Sequence, residues 1–149
     1  MGDSMDVHLV DKKAFTIIGI RKVVPDGGGV WDLIKSDGSK QKLEALAGKD
    51  CDIGLCFGFS PSGWNDYMAG VESPSVDGFE SYEYPATRFL LLEVKGKISE
   101  ELLRKTWEML KERGLPTGYT QSDLPTLERY KIWHQASDQC HVELMIPLK

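Results

Sequence analysis

Glu128 is the residue best placed by type and spacing to do chemistry, because it sits in a stretch of alternating polarity, Leu127-Glu128-Arg129-Tyr130. Successive side chains of an extended chain point to opposite faces, so Glu128, Tyr130 and Ile132 share one face and Leu127, Arg129, Lys131 and Trp133 the other. Placing Arg129 and Lys131 in solvent turns Glu128 inward. An ionised carboxylate is costly to bury alone, and must be paired, solvated by a cleft or protonated. Two readings stand side by side. In one, Glu128 faces a pocket and receives a cationic or electrophilic organic molecule. In the other it is scaffold, bonded to Arg88, Arg129 or a tyrosine hydroxyl. Glu83, Glu93 and Glu143 lie in similar strand-like segments, and their spacing does not establish a pair of catalytic carboxylates.

An aromatic wall beside such a carboxylate would select cations, each cation–π contact contributing about 0.5–2 kcal/mol. Trp31, Phe57, Trp64, Tyr67 and Tyr130 are the candidates to line it. Tyr67, Tyr130 and Trp64 suit the role best, since each joins a flat ring to a polar edge. Phe57, together with Phe59, also continues the face of Ile53 and Leu55, which is a core pattern. Other motifs fall short. The run Gly27-Gly28-Gly29 lacks the Lys-Ser or Lys-Thr of a phosphate loop. His8, His134 and His141 lack metal-ligand spacing with one another or with the cysteines, so neither metal nor cofactor is expected. Ser60 and Ser62 lie in a turn without a nucleophile-elbow pattern. Cys51, Cys56 and Cys140 are odd in number and lack CxxC spacing, and they read as reduced core thiols of a cytoplasmic protein.

The elements that must position Glu128 occur in a repeated order. Residues 14–24, rich in Ile and Val, predict a strand. Apolar residues from Val30 to Ala47 recur at helical spacing, interrupted at Asp37-Gly38. Strands over 53–59 and 64–72 follow, joined by the turn Ser60-Pro61-Ser62-Gly63. Beyond a linker-like stretch at 73–78 come a short strand at 79–84, a buried strand at 89–94, and a helix opening at Ser99 whose apolar stripe includes Leu103 and Trp107. Strands at 126–134 and 139–148 close the chain. Strand, helix, strand, strand therefore appears twice, over about 7–72 and 79–149. This order predicts an α+β domain spanning 1–149, with one mainly antiparallel sheet, two helices on one face and a groove on a pseudo-twofold between the halves.

Composition narrows the partners. With 149 residues, 41% of them hydrophobic, the chain suits one compact domain. A net charge of -5 argues against direct binding of nucleic acid, which needs a clustered basic field. No run is long enough to span a bilayer, and Asp3 and Asp6 break any signal-peptide pattern at the start. Eighteen basic residues interleave with 23 acidic ones, so no continuous acidic face is evident. Oligomeric state is not legible.

Taken in order, residues 64–71, residues 79–88, Trp107, Leu115-Pro116-Thr117-Gly118-Tyr119, Glu128-Arg129-Tyr130 and the terminal Ile146-Pro147 resemble the GyrI-like small-molecule-binding family. The resemblance covers nearly the whole chain and is clearest from Tyr67 onward. It implies a ligand groove between two repeats, with Glu128 in the position where related multidrug-responsive transcription activators meet lipophilic cations, and Tyr130 as its neighbour. Those activators also carry a helix-turn-helix domain, for which this chain has no room. Some other stand-alone members open the cyclopropane ring of DNA-alkylating natural products by adding water. By that resemblance Glu128 would position or activate water, with Tyr67, Tyr130 or a tryptophan holding the planar substrate. A protein-interaction role on DNA gyrase is the third implied function.

Overall fold

The computed structural model describes residues 6–25, 28–47, 52–96, 108, 115, 118–132 and 140–149. Apart from Glu108, the helix expected after Ser99 lies outside them, as do Trp107, Trp133, His134 and Cys51. Eight strands and two helices follow in the order β1 (Asp6–Lys12), β2 (Phe15–Val24), α1 (Gly28–Ser36), α2 (Ser39–Ala47), β3 (Asp52–Phe59), β4 (Asn65–Glu72), β5 (Glu80–Tyr84), β6 (Thr87–Gly96), β7 (Thr126–Ile132) and β8 (Cys140–Pro147). The helical stretch breaks at the expected place. Gly38 adopts a φ of 85°, and the Asp37 carboxylate accepts a hydrogen bond from the Ser39 amide at 2.8 Å, capping α2.

All eight strands join one antiparallel sheet in the order β1-β6-β8-β7-β3-β4-β2-β5. The α+β class and the antiparallel sheet stand as expected. That order is symmetric about the β7–β3 contact. The leading strand of each half crosses to the other half: β1 borders β6 and β5 borders β2. β1 itself was not anticipated, since its sequence DVHLVDK has no long apolar run and takes its place by pairing with the apolar β6.

The two described helices both belong to the first half and lie on one face of the sheet. Val30, Ile34 and Leu43 are fully or almost fully buried there against Ile18, Ala69 and Val71 of β2 and β4. On the opposite face a second core gathers Ile17, Leu55, Met68, Phe89, Leu127 and Met145. Leu90, Leu92, Leu144 and Ile146 form a third cluster on the helix-side parity of β6 and β8. Because both faces are buried near the centre, the expectation that Arg129 stands in solvent is corrected. Its side chain is 28% exposed and lies against Glu143, next to the fully buried Leu127. Glu128 still turns inward, since β-strand alternation sends it to the face opposite these two.

A second correction concerns the Ile53, Leu55, Phe57, Phe59 stripe. A bulge between Cys56 and Gly58, where φ reaches 136° and a side chain would be strained, breaks the alternation. Phe57 stays on the face of Leu55, whereas Phe59 pairs with Asn65 and is 64% exposed. Among the described residues, no helix is long and apolar enough to cross a membrane.

Candidate functional site

At the centre of the sheet β3 and β7 pair so that Gly54 stands opposite Glu128. Glu128 is 5% exposed and points to the helix-covered face, the same face as Tyr67 of β4 and Tyr130 of β7. The Tyr67 hydroxyl donates to Glu128 Oε1 at 2.7 Å, and the Tyr130 hydroxyl donates to the same oxygen at 2.9 Å. With each hydroxyl proton so committed, the 3.3 Å approach of the two phenol oxygens is a contact between two groups sharing one acceptor. From α1, Trp31 Nε1 donates to the Tyr67 oxygen at 3.0 Å, while its ring meets that of Tyr130 edge-on at 5.4 Å between centroids. Three aromatic residues from three elements thus frame one carboxylate.

Gly54 makes this possible and was not singled out by sequence. A Cβ at position 54 would overlap the Tyr67 hydroxyl and lie 2.9 Å from Glu128 Oε1. The tyrosine therefore reaches the glutamate across bare backbone. The only sequence signal was a glycine inside an apolar strand, which marks either a bulge or a close approach.

Electrostatics keeps the two tyrosines protonated. Burial raises the Tyr67 and Tyr130 hydroxyls well above the ordinary tyrosine range, and the charge of Glu128 adds to the effect. Both therefore act as hydrogen-bond donors at neutral pH, and two donors on one oxygen match the acceptor-only ionised carboxylate. Nearby, Cys56 Sγ donates to Asn65 Oδ1 at 3.3 Å, and burial pushes the thiol up to about 11. It stays protonated and is no nucleophile.

Of the sequence-derived candidates, the structure brings together Trp31, Tyr67, Glu128 and Tyr130. It does not bring Phe57 or Trp64 to them. Phe57 lies on the opposite face, where the Arg21 guanidinium stacks 3.6 Å from its ring centre and Tyr82 meets it edge-on. Trp64 is 47% exposed on the β3–β4 turn, where its carbonyl accepts from the Ser60 amide at 2.8 Å. The arginines considered for Glu128 lie elsewhere: Arg88 bonds Asp11 at 2.7 and 3.1 Å, and Arg129 faces Glu143. Of the partners weighed for Glu128, the described residues supply the tyrosine hydroxyls. A surface hollow of about 640 Å3, lined by Ile20, Lys22, Leu33, Phe79 and Glu80, lies near the β2–β5 edge and excludes this cluster.

Comparison with curated proteins finds no match. Among solved structures, that of SAV2435 bound to tetraphenylphosphonium is similar in fold, with a TM-score of 0.80 and 18% identity over 97% of this chain and 94% of that one. A cryo-EM structure of an EcmrR–DNA complex aligns with a TM-score of 0.72 and 16% identity, covering 97% of this chain and 57% of that one. A hydrolase from Listeria innocua aligns at a TM-score of 0.54 and 11% identity, covering 96% and 91%. The sequence profile of the GyrI-like small molecule binding domain matches residues 5–149, and the chain belongs to that family.

Proposed function

We propose that this domain binds hydrophobic organic cations at Glu128, with Trp31, Tyr67 and Tyr130 as the aromatic frame, and so sequesters or senses such molecules. The observation that carries the reading is the convergence of two tyrosine hydroxyls on one oxygen of a buried glutamate beneath a tryptophan. Two hydroxyl donors on one oxygen favour the ionised form of a carboxylate and hold it in place, and rings beside it offer cation–π attraction. The similarity to SAV2435, whose bound tetraphenylphosphonium is a lipophilic cation, supports the same ligand class. Hydrolysis of strained electrophiles at Glu128 ranks second. Two tyrosine protons already occupy Oε1 and lower its basicity toward water, which favours binding over general-base catalysis.

Tryptophan fluorescence titration with tetraphenylphosphonium and with neutral triphenylphosphine oxide tests the proposal. Glu128→Gln is expected to weaken the cation at least about tenfold, equivalent to about 1.4 kcal/mol, and to leave the neutral compound within about twofold. Equal losses for the two ligands would remove the electrostatic basis.

A further inference from the structure

The sheet face opposite Glu128 carries a second polar group that the aromatic site does not use. Glu93 of β6 and Glu143 of β8 stand directly across from each other in the antiparallel register. Two carboxylates so placed repel. His141, two residues before Glu143 on the same strand, projects to the same face. One ligand atom from each of Glu93, His141 and Glu143 falls within a 4.8 Å group, all three side chains being partly buried. Their surroundings are defined as well. His8 Nε2 lies 3.3 Å from Oε2 of Glu93, and Arg129 Nη1 lies 3.3 Å from Oε1 of Glu143.

Two of the converging atoms make no hydrogen bond to the described residues. His141 Nε2 lies 3.2 Å from Glu93 Oε1, yet it is buried and makes no hydrogen bond to the described residues; the same holds for Glu143 Oε1 despite the arginine beside it. Atoms at hydrogen-bonding distance without hydrogen-bonding alignment are arranged as co-ligands are. Two ligands on a tetrahedral zinc ion, each at about 2.0–2.2 Å, stand about 3.3–3.6 Å apart; the His141–Glu93 pair stands at 3.2 Å and all three ligand atoms lie within 4.8 Å of one another.

We propose that Glu93, His141 and Glu143 form a binding site for a divalent transition-metal cation, with Zn2+ as the representative ion. One imidazole and two carboxylates form a donor set suited to such an ion, whose charge would relieve the repulsion between the paired glutamates. His8 holds the outer oxygen of Glu93 and orients the inner one. Arg129 is a resident competitor, a fixed positive charge on the Glu143 side. The site departs from the expectation of no metal, which rested on spacing among histidines and cysteines. Here one half of the site is His141-Val142-Glu143, a His-x-Glu pair on one strand face, and the other half arrives only through pairing with β6.

The test is calorimetric titration of the full chain, freed of metal by chelator, with ZnCl2. One equivalent is expected to bind. His141→Ala and Glu143→Gln should each weaken binding at least about tenfold, while Arg129→Gln should tighten it severalfold by removing the competing charge. A variant with Cys51, Cys56 and Cys140 all changed to Ser should bind as the parent does, with circular dichroism confirming the fold of each variant. The proposal is overturned by an absence of binding at millimolar Zn2+, by binding that His141→Ala and Glu143→Gln leave unchanged, or by binding that vanishes with the thiols.

Discussion

At the scale of single residues, the Glu128 cluster depends on a side chain that is missing. Gly54 allows the Tyr67 hydroxyl to pass over the β3 backbone and donate to Glu128. Gly54→Ala would force either the tyrosine ring or the strand to shift, and overpacking of this kind costs about 1–3 kcal/mol. A fall of that size in the unfolding free energy, seen as a lower urea midpoint, is expected, together with weaker tetraphenylphosphonium binding, because the displaced Tyr67 no longer orients the carboxylate. Unchanged stability and affinity in Gly54→Ala would mean that the close approach carries no weight. Glu128 itself was legible from strand alternation, and Tyr130 follows from it two residues on. Gly54, Tyr67 and Trp31 come from distant segments, and no spacing within one element could have joined them.

At the scale of elements, α1 is the part that delivers Trp31. Its Val30 and Ile34 are fully buried against β2 and β4, while Trp31 lies beside them at the edge of that core. Removing most of the Ile34 side chain leaves a cavity under the helix, with an expected cost of about 2–5 kcal/mol. Ile34→Ala should therefore lower the urea midpoint and weaken the aromatic frame together, seen as a loss of ligand-induced tryptophan fluorescence change. Retained ligand response at full amplitude would show that Trp31 is held independently of the helix. Most element boundaries were readable because alternation and helical spacing report burial directly. The bulge at Cys56–Gly58 was not, and Phe59 consequently left the face its spacing assigned to it.

For the whole molecule, burial of tyrosines couples the fold to alkaline pH. Tyr67, Tyr84 and Tyr130 all have their hydroxyls raised above the ordinary value, chiefly by loss of solvent. Tyr84 also donates to the Pro125 carbonyl at 2.6 Å. In the unfolded chain these groups ionise near pH 10, whereas the folded chain retains their protons to higher pH. Above about pH 10 the unfolded state thus binds fewer protons, so the contribution is fully present below that value and declines as pH rises. Ionisation of the buried tyrosines, followed at 295 nm, is expected to coincide with loss of the circular dichroism signal. If Tyr67, Tyr84 and Tyr130 titrated near pH 10 before any change in fold, their burial would be wrong.

By itself the sequence determined the class of fold, most of the strands, the interrupted helix and the inward turn of Glu128, because period and polarity act through nearest neighbours along the chain. Tertiary structure decided the rest. Crossing of the leading strands sets which strands border each half, and the β3–β7 register sets Gly54 opposite Glu128, where the Tyr67 hydroxyl crosses it. Burial of both central faces puts Arg129, only partly exposed, against Glu143 and away from Glu128. These are contacts between residues tens of positions apart, fixed by the pairing of whole strands, and a pattern read along one strand carries no record of its partner.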